Sequence, residues 1–240
     1  MHYSNRIHTA NGILAALPPG EITLIRERVE KIEIASETAI HKPGATVKHI
    51  YFPLSGVIST LQIMENGACG EIAVIGNEGI EGIVPFMGGH TSSSWTIAQS
   101  ELTALRIPTT SAKRIFARGG AFQHLVLRFL QALMTQMGQT VVCNLHHPLE
   151  KRLCRWLLLN FDRTPSGQLA ITQETISNML GVRREGITGA ARHLQALGVI
   201  KYSRGRITLL DRDGLAGHAC ECYQVIQREY ERLLYPPPAK

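Results

Sequence analysis

Residues 172–206, TQETISNMLGVRREGITGAARHLQALGVIKYSRGR, contain the clearest structural pattern in the chain. Thr172 is a favourable helix N-cap, and the apolar residues Ile176, Met179 and Leu180 follow at helical spacing. Gly181 then suits the left-handed backbone at which many helices end. A second helical pattern starts after Val182 and stops at a glycine, so the segment predicts two helices joined by a short turn.

The second helix has two chemically different faces. Its predicted buried stripe consists of Ile187, Ala191, Leu194 and Leu197. Its outward side, which starts at the first turn, is polar and carries Arg183, Arg184, Glu185, Thr188 and Arg192. In a DNA-binding helix-turn-helix, the second helix needs base-reaching side chains near its start.

A hairpin is predicted directly after these helices. Residues 201–210, KYSRGRITLL, alternate about a turn at Gly205, and Arg204 and Arg206 lie at its tip. A basic hairpin in this position is typical of the wing in a winged helix-turn-helix. Asp213 is predicted to cap a last helix that runs towards Leu234.

The side chains in this region predict two kinds of DNA contact. Arg184 can donate two hydrogen bonds to guanine, and Glu185 can accept one from cytosine N4. A glutamate repels phosphate, so its presence in a basic patch indicates base recognition. The predicted phosphate contacts are Thr172, Gln173, Arg183, Lys201, Arg204 and Arg206.

Charge is distributed unevenly along the 240 residues. The net charge of +6 comes entirely from residues 121–240, with fifteen basic and nine acidic residues, because residues 1–120 are neutral. This asymmetry favours an anionic partner for one half of the chain, with a solvated basic surface as the alternative. No apolar run reaches a membrane-spanning length and no secretory leader is evident, so no membrane association is expected. Five scattered cysteines do not resemble a disulfide framework, which favours the reducing cytoplasm.

The N-terminal half shows short strand-like runs. Between residues 42 and 108 these runs are bounded by turn residues such as Asn66-Gly67 and Gly88-Gly89, as in an antiparallel sandwich, barrel or roll. Before them, residues 20–34 place Ile22, Ile25, Val29 and Ile32 at helical spacing and predict a helix.

The longest helical pattern covers residues 122–146. Its stripe is Leu130, Leu133, Met137, Val141 and Asn144. A helix about 37 Å long is difficult for a small roll to cover, so we expect the stripe to meet a second copy of itself. The alternative is a helix that lies on its own domain. Pro148 marks the end of this segment.

The order of roll, long helix and winged helix-turn-helix resembles the Crp–Fnr superfamily of bacterial transcription regulators over nearly the whole chain. The resemblance is carried by residues 172–211 and by IYFPLSGVIST at residues 50–60. Arg184 and Glu185 fall on the family's base-contacting pair, and Thr172 falls on its phosphate-contacting threonine. A family arginine four residues after that glutamate is replaced by Gly189, so we expect a different operator.

The resemblance implies an α+β fold with three parts. These are a jelly-roll-like, cyclic-nucleotide-binding-like antiparallel β-roll (1–121), a dimerisation helix and hinge (122–147), and a winged helix-turn-helix domain (148–240). It also implies a homodimer that binds a near-palindromic site in double-stranded DNA under the control of a signal, with RNA polymerase as a candidate further partner.

The usual cyclic-nucleotide chemistry is not expected. In the family, a glutamate binds the ribose and an arginine binds the cyclic phosphate, but here Ile83 and Ser92 fall on these positions. No lysine or arginine occurs between Lys48 and Arg106. A buried phosphate without a cationic partner is costly, so we do not expect cyclic AMP to be the signal, and the effector is unidentified.

We predict no cofactor and no metal site. An iron–sulfur cluster needs four cysteine ligands, which the family's oxygen sensors supply mostly from an N-terminal cluster. Here only Cys69 precedes residue 140. Cys220 and Cys222 lie on a predicted helix, where residues i and i+2 do not face each other, so they are a weak chelate. His146-His147 is interpreted as part of the hinge before Pro148. Haem ligation by a histidine or cysteine stays open.

Enzyme signatures such as a Walker loop or a zinc-binding H-E-x-x-H helix are absent from the sequence, and we predict no catalytic residue. One alternative is a small-molecule-binding or cupin-like enzymatic roll with a helical dimerisation tail, for which the strands offer only His49 and His90. Another is a nonspecific architectural DNA-binding protein, against which the acidic Glu185 argues.

Overall fold

The computed structural model describes residues 10–235. Nine α-helices lie in this part of the chain: α1 (Gly12–Ala15), α2 (Pro19–Arg26), α3 (Thr109–Phe116), α4 (Ala121–His146), α5 (Leu149–Phe161), α6 (Gln173–Leu180), α7 (Arg184–Ala196), α8 (Arg212–His218) and α9 (Glu221–Leu234). The same residues form ten strands: β1 (Glu30–Ile34), β2 (Ala39–His41), β3 (His49–Ser55), β4 (Ile58–Ile63), β5 (Cys69–Ile75), β6 (Trp95–Ala98), β7 (Leu102–Pro108), β8 (Gln168–Ala170), β9 (Ile200–Ser203) and β10 (Arg206–Leu209).

The first seven strands form the predicted antiparallel roll. One sheet has the order β1-β7-β3 and the other has the order β2-β6-β4-β5. Side chains that alternate towards the space between the sheets, among them Ile50, Phe52 and Ile58, are fully buried and fill the core. The α+β fold class, with a roll, a long helix and a C-terminal helix-turn-helix, is therefore confirmed. No helix within residues 10–235 combines the length and the apolar character needed to cross a bilayer.

The helix predicted over residues 20–34 is only partly present. Helix α2 ends at Arg26, and Glu30–Ile34 instead forms strand β1, in which Ile32 pairs with Ala104 of β7. The segment EKIEI fits the two-residue alternation of a strand as well as it fits the spacing of a helix. Pairing with a central strand decides between the two, because tertiary context overrides a short local pattern.

The long helix α4 packs differently from the prediction. Leu130 and Leu133 are buried in the chain's own core, against β5 and α9, so these two positions are not available to a second copy. Met137 is half-buried, whereas Val141 and Asn144 are exposed. The predicted stripe follows the inner face of the helix along its first half, because α9 returns to cover that face.

The chain after the wing forms two helices where one was predicted. Asp211, not Asp213, is the N-cap of α8, and its Oδ1 accepts a hydrogen bond from Gly214 N at 3.0 Å. The backbone is extended at Ala219 and Cys220, and α9 begins only at Glu221.

A buried polar network joins the roll to α5. Trp156 Nε1 donates to Glu71 Oε1 at 2.7 Å, and Gln99 Nε2 donates to Asn160 Oδ1 at 2.8 Å. Ser59 Oγ lies 2.6 Å from Glu71 Oε2 and 2.7 Å from Gln99 Oε1, yet a hydroxyl has only one proton to donate. A protonated Glu71 that donates to Ser59 lets every group in this network find a partner.

Burial raises the pKa of Glu71 from 4.5 to about 7, in agreement with this hydrogen-bond pattern. The folded chain thus binds the Glu71 proton more tightly than the unfolded chain does. The resulting stabilisation is complete below about pH 4.5 and is lost as the pH rises to about 7.

We predict that Glu71→Gln removes this contribution, because the amide can donate to Ser59 and accept from Trp156 at every pH. Between pH 4.5 and 8, the free energy of unfolding of the variant should rise relative to wild type by about 3 kcal/mol. Urea denaturation across this pH range measures the difference. Glu65→Gln, at an exposed turn, is the control. An equal pH dependence in wild type and Glu71→Gln would contradict the prediction.

Candidate nucleic-acid interface

Local hydrogen bonds define the first helix of the helix-turn-helix. Thr172 Oγ1 accepts from Thr175 N at 3.1 Å and caps α6. At the other end, Gly181 is left-handed, with φ 63° and ψ 43°, and Val182 N donates to Ser177 O at 2.9 Å. This pair of features is a Schellman motif, which turns the chain into α7 within a few residues.

Helix α7 buries the predicted stripe only in part. Ile187, Ala191 and Leu194 are buried against α5 and α6, but Leu197 is 43% exposed because the helix ends at Ala196 and the chain turns away. Arg184 and Glu185, in the first turn of the helix, are both exposed.

A side-chain contact fixes the two helices to each other. Thr188 Oγ1 lies 2.7 Å from Gln173 Oε1 and 3.1 Å from Arg184 O. Both Thr188 and Gln173 are half-buried, so part of their hydrogen-bonding capacity is used within the motif. At Gly189, by contrast, an added Cβ would meet no atom within 4 Å, so the outward face of α7 is open at that position.

The wing is a three-stranded sheet in the order β8-β10-β9, of which the sequence predicted only the last two strands. Its turn has positive φ at Arg204 (50°) and Gly205 (72°), as a type I′ hairpin requires. Ile171 N donates to Gly205 O at 2.8 Å and so fixes the wing next to the start of α6.

An open groove lies between the wing and the helix-turn-helix. It is lined by Thr172, Gln173, Arg184, Tyr202, Ser203, Arg204 and Gly205. Four of the predicted DNA-binding residues therefore lie together, although they come from two helices and a hairpin. Tyr202, which the sequence analysis did not select, lies between them, and burial raises the pKa of its hydroxyl.

Two groups of basic residues in this domain differ in their contacts. One group is exposed and forms no ion pair within residues 10–235: Arg183, Arg184, Arg192, Lys201, Arg204 and Arg206. In the other group, Arg163 forms a buried ion pair with Glu78 at 2.7 Å, and Arg152 donates to the backbone oxygen of Leu180. The first group is available to an anionic partner, whereas the second stabilises the fold.

At the position where the resemblance implies a phosphate-binding arginine, the chain has the uncharged Ser92. Ser92 Oγ donates to Ser94 O at 2.7 Å, so this side chain belongs to a local turn. Nearby, Glu81 Oε1 lies 3.8 Å from His41 Nε2. Burial raises the pKa of Glu81 to about 7 and lowers that of His41 to about 4, so His41 is neutral at pH 7.

Two family sequence models match the chain. The Crp-like helix-turn-helix domain matches residues 151–217, and the cyclic nucleotide-binding domain matches residues 31–118. Together they cover well over half of the sequence. The chain belongs to the Crp–Fnr superfamily of transcription regulators.

Solved structures of other Crp–Fnr proteins share the fold. A protein described as a transcriptional regulator of this family from Eubacterium rectale is 22% identical, with a TM-score of 0.67, over 92% of this chain and 99% of that one. FixK2 from Bradyrhizobium japonicum is 14% identical, with a TM-score of 0.67, over 80% and 98%. The c-di-GMP-responsive regulator CLP from Xanthomonas campestris is 16% identical, with a TM-score of 0.64, over 80% and 99%. No curated protein matches this regulator.

The cap on α6 generates a stability prediction for this Crp–Fnr regulator. Thr172→Ala should lower the free energy of unfolding by about 1 kcal/mol, because the amide of Thr175 loses its acceptor. Thr172→Ser retains the hydroxyl and should stay close to wild type. Chemical denaturation of the three proteins measures the effect, and an equal loss in both variants would show that the methyl group, not the cap, is responsible.

Proposed function

We propose that this regulator is a homodimer that reads a near-palindromic DNA site with helix α7. The observation that carries the proposal is the exposed pair Arg184 and Glu185 at the start of α7, beside the groove and the basic wing. Arg184 would donate to guanine, and Glu185 would accept from cytosine. Two such helices, about 34 Å apart, would enter successive major grooves.

The remaining predicted contacts are assigned to the phosphate backbone in this proposal. Thr172, Arg183, Lys201, Arg204 and Arg206 would fix the register without reading bases. Gln173 and Thr188 would contribute through the hydrogen bond that holds α6 and α7 together, and Arg192 would follow the groove from the next turns of α7.

The base-reading role predicts a change of specificity. In selection from random duplex DNA, wild type should yield an inverted repeat, and Glu185→Ala should lose preference at one symmetric pair of positions. The expected cost at the wild-type site is about 1–3 kcal/mol. Glu174→Ala, which removes an exposed acid from α6, is the control and should retain the motif.

A phosphate contact should behave differently in the same assay. Arg204→Ala should weaken binding to all sequences alike and reduce the salt dependence by about one counterion, because only backbone charge is lost. Binding without any enriched motif, and with a steep dependence on salt, would favour the architectural alternative instead.

The proposed dimer uses a face of α4 that shares only Val141 with the predicted stripe. Its exposed apolar residues are Leu127 (49%), Met134 (71%), Val141 (55%), Val142 (48%) and Leu145 (73%). Positions 127, 134 and 141 are each seven residues apart, with Leu145 at the following four-residue step. This heptad pattern is the signature of two helices packed along a seam, so Val141 is retained from the predicted stripe and Leu130 and Leu133 are not.

Disruption of the seam should yield monomers. Met134→Glu places a charge at the centre of the proposed interface, where its burial against a second copy is costly. We expect a clear shift to monomer mass in light scattering, together with much weaker binding to the full palindrome. Met64→Glu, at a turn where Met64 is 66% exposed, is the matched control and should stay dimeric. A dimeric Met134→Glu would refute this seam.

The signal in this proposal is one that the roll accepts without the usual phosphate-binding arginine, and so not cyclic AMP in its family-typical mode. We further propose that the protein is not an enzyme and that it acts in the bacterial cytoplasm on DNA, where its cysteines stay reduced. Contact with RNA polymerase is part of the same proposal. The cupin-like alternative gains no specific support from His49 or His90.

A further inference from the structure

Three cysteines and a histidine meet at the hinge between α4 and the DNA-binding domain. The side chains are Cys143 in the last turn of α4, His147 at its C-cap, Cys220 at the N-cap of α9 and Cys222 within α9. One ligand atom from each lies within 4.8 Å of all the others. We propose that these residues form a Cys₃His site for zinc that fastens the end of α4 to the start of α9.

The distances fit tetrahedral coordination. Cys143 Sγ lies 3.5 Å from Cys220 Sγ, and Cys222 Sγ lies 3.6 Å from His147 Nδ1. Zinc bonds of about 2.3 Å to sulfur and 2.0–2.1 Å to nitrogen give a tetrahedron with edges of about 3.5–3.8 Å. Two of the six edges thus already have the required length, and the other pairs need to close by no more than about 1 Å.

The histidine has the second partner that a zinc ligand usually has. Its Nδ1 faces Cys222, and its Nε2 lies 3.3 Å from Glu221 Oε1. A carboxylate on the far nitrogen of a ligating imidazole fixes the tautomer and the ring orientation. Plain packing of three small thiols would require neither the imidazole nor the carboxylate behind it.

The cysteines are separate from the rest of the core. Cys143, Cys220 and Cys222 are buried, at 0%, 3% and 2% exposure, and form a cluster of their own among the buried apolar residues described. Cys154, also buried, belongs to the main core. In a reducing compartment, grouped cysteines more often bind a metal or act in catalysis than form disulfides.

A buried cation lies close to the cluster. Three thiolates, a neutral imidazole and Zn²⁺ have a net charge of −1, and binding releases the three thiol protons. Arg155 is 2% exposed, and its Nη1 donates to the hydroxyl of Thr140 at 3.1 Å, three residues before Cys143 on α4. Its Nε has no hydrogen-bond partner within residues 10–235, so the guanidinium is available to balance this charge.

This site could not be predicted from the sequence, because the helical pattern places Cys220 and Cys222 on one helix. In the structure Cys220 is extended, with φ −87° and ψ 164°, and precedes the helix, so its side chain can converge with that of Cys222. The other two ligands lie at least 73 residues earlier in the chain and are brought near by the packing of α9 along α4.

Zinc would hold the hinge in one geometry. His147 directly precedes Pro148, the N-cap of α5, and α8 packs on α5 inside the DNA-binding domain. A bound ion would therefore restrict how this domain turns relative to α4. An effect on DNA binding rests on the proposed function, but zinc binding itself does not.

Metal analysis of the full-length protein, purified without an affinity tag, tests the site. We expect one zinc per chain, and after exchange to Co²⁺ the visible absorption of tetrahedral thiolate coordination. Cys222→Ser should lose both signals, whereas Cys69→Ser, which removes a half-buried thiol outside the cluster, should keep both. A wild type with no more zinc than Cys222→Ser would overturn the proposal.

A second variant guards against misfolding of the first. Glu221→Gln keeps all four ligands and changes a carboxyl that is 73% exposed, so the fold should be maintained. Its zinc affinity should fall about 10- to 100-fold in a chelator competition. An unchanged affinity would show that Glu221 does not position His147 as a zinc ligand.

Thiol titration separates zinc from a disulfide. Five thiols titrating in freshly purified, denatured protein with chelator support the proposal. Three thiols, together with a disulfide-linked peptide of Cys143 and Cys220 in mass spectrometry, would overturn it, because these two sulfurs lie 3.5 Å apart. DNA selection on the same sample distinguishes the two proposals. Zinc without sequence-specific DNA binding refutes the regulator model alone, and specific DNA binding without zinc refutes the metal site alone.

Discussion

The open edge of strand β5 joins the roll to three helices of the C-terminal half of the chain. β5 is the last strand of its sheet, so its outer backbone groups need partners from elsewhere. Gln136 of α4 supplies them: its Oε1 accepts from Val74 N at 2.8 Å, and its Nε2 donates to Val74 O at 3.1 Å. The same amide nitrogen lies 2.7 Å from the Tyr230 hydroxyl, which brings α9 to the same place. Further along the strand, Glu71 Oε1 accepts a hydrogen bond from Trp156 Nε1 of α5. Cys69 Sγ lies 3.4 Å from the Asn178 carbonyl of α6. One strand thus contacts the long helix, the first helix after the hinge and the helix-turn-helix.

Features that depend on residues close together in the sequence could be predicted, whereas features that depend on distant residues could not. Thr172, Gly181 and Gly205 act on backbone within a few residues, so the helix-turn-helix and its hairpin could be predicted from spacing alone. The covered face of α4 could not, because α4 has apolar residues on two sides and only the return of α9 determines which is inside. The contacts Glu71–Trp156, Cys143–Cys220 and His147–Cys222 join residues 75 to 85 positions apart, for which no local pattern exists.

The distribution of charge along the sequence also does not show which basic residues are buried. The excess of basic residues in the C-terminal half predicts an anionic partner for that half, but net charge alone does not distinguish one arginine from another. Arg163 lies 5% exposed beside Glu78, whereas Arg184 and Arg204 border an open groove. Burial therefore separates arginines that stabilise the fold from those that are free to bind, and this distinction needs coordinates.

The seven-residue spacing of Leu127, Met134 and Val141 has a consequence for the shape of the proposed dimer. A straight α-helix has 3.6 residues per turn, so a seven-residue stripe drifts by about 20° per repeat. Two copies that keep the stripe in contact must wrap around each other with a left-handed twist and cross at about 20°. From Met134 to the end of α4 is about 18 Å, so a 10° change in crossing angle would move the end of one helix by about 3 Å relative to the other. The crossing angle of the helix pair would then set the distance between the two DNA-binding domains.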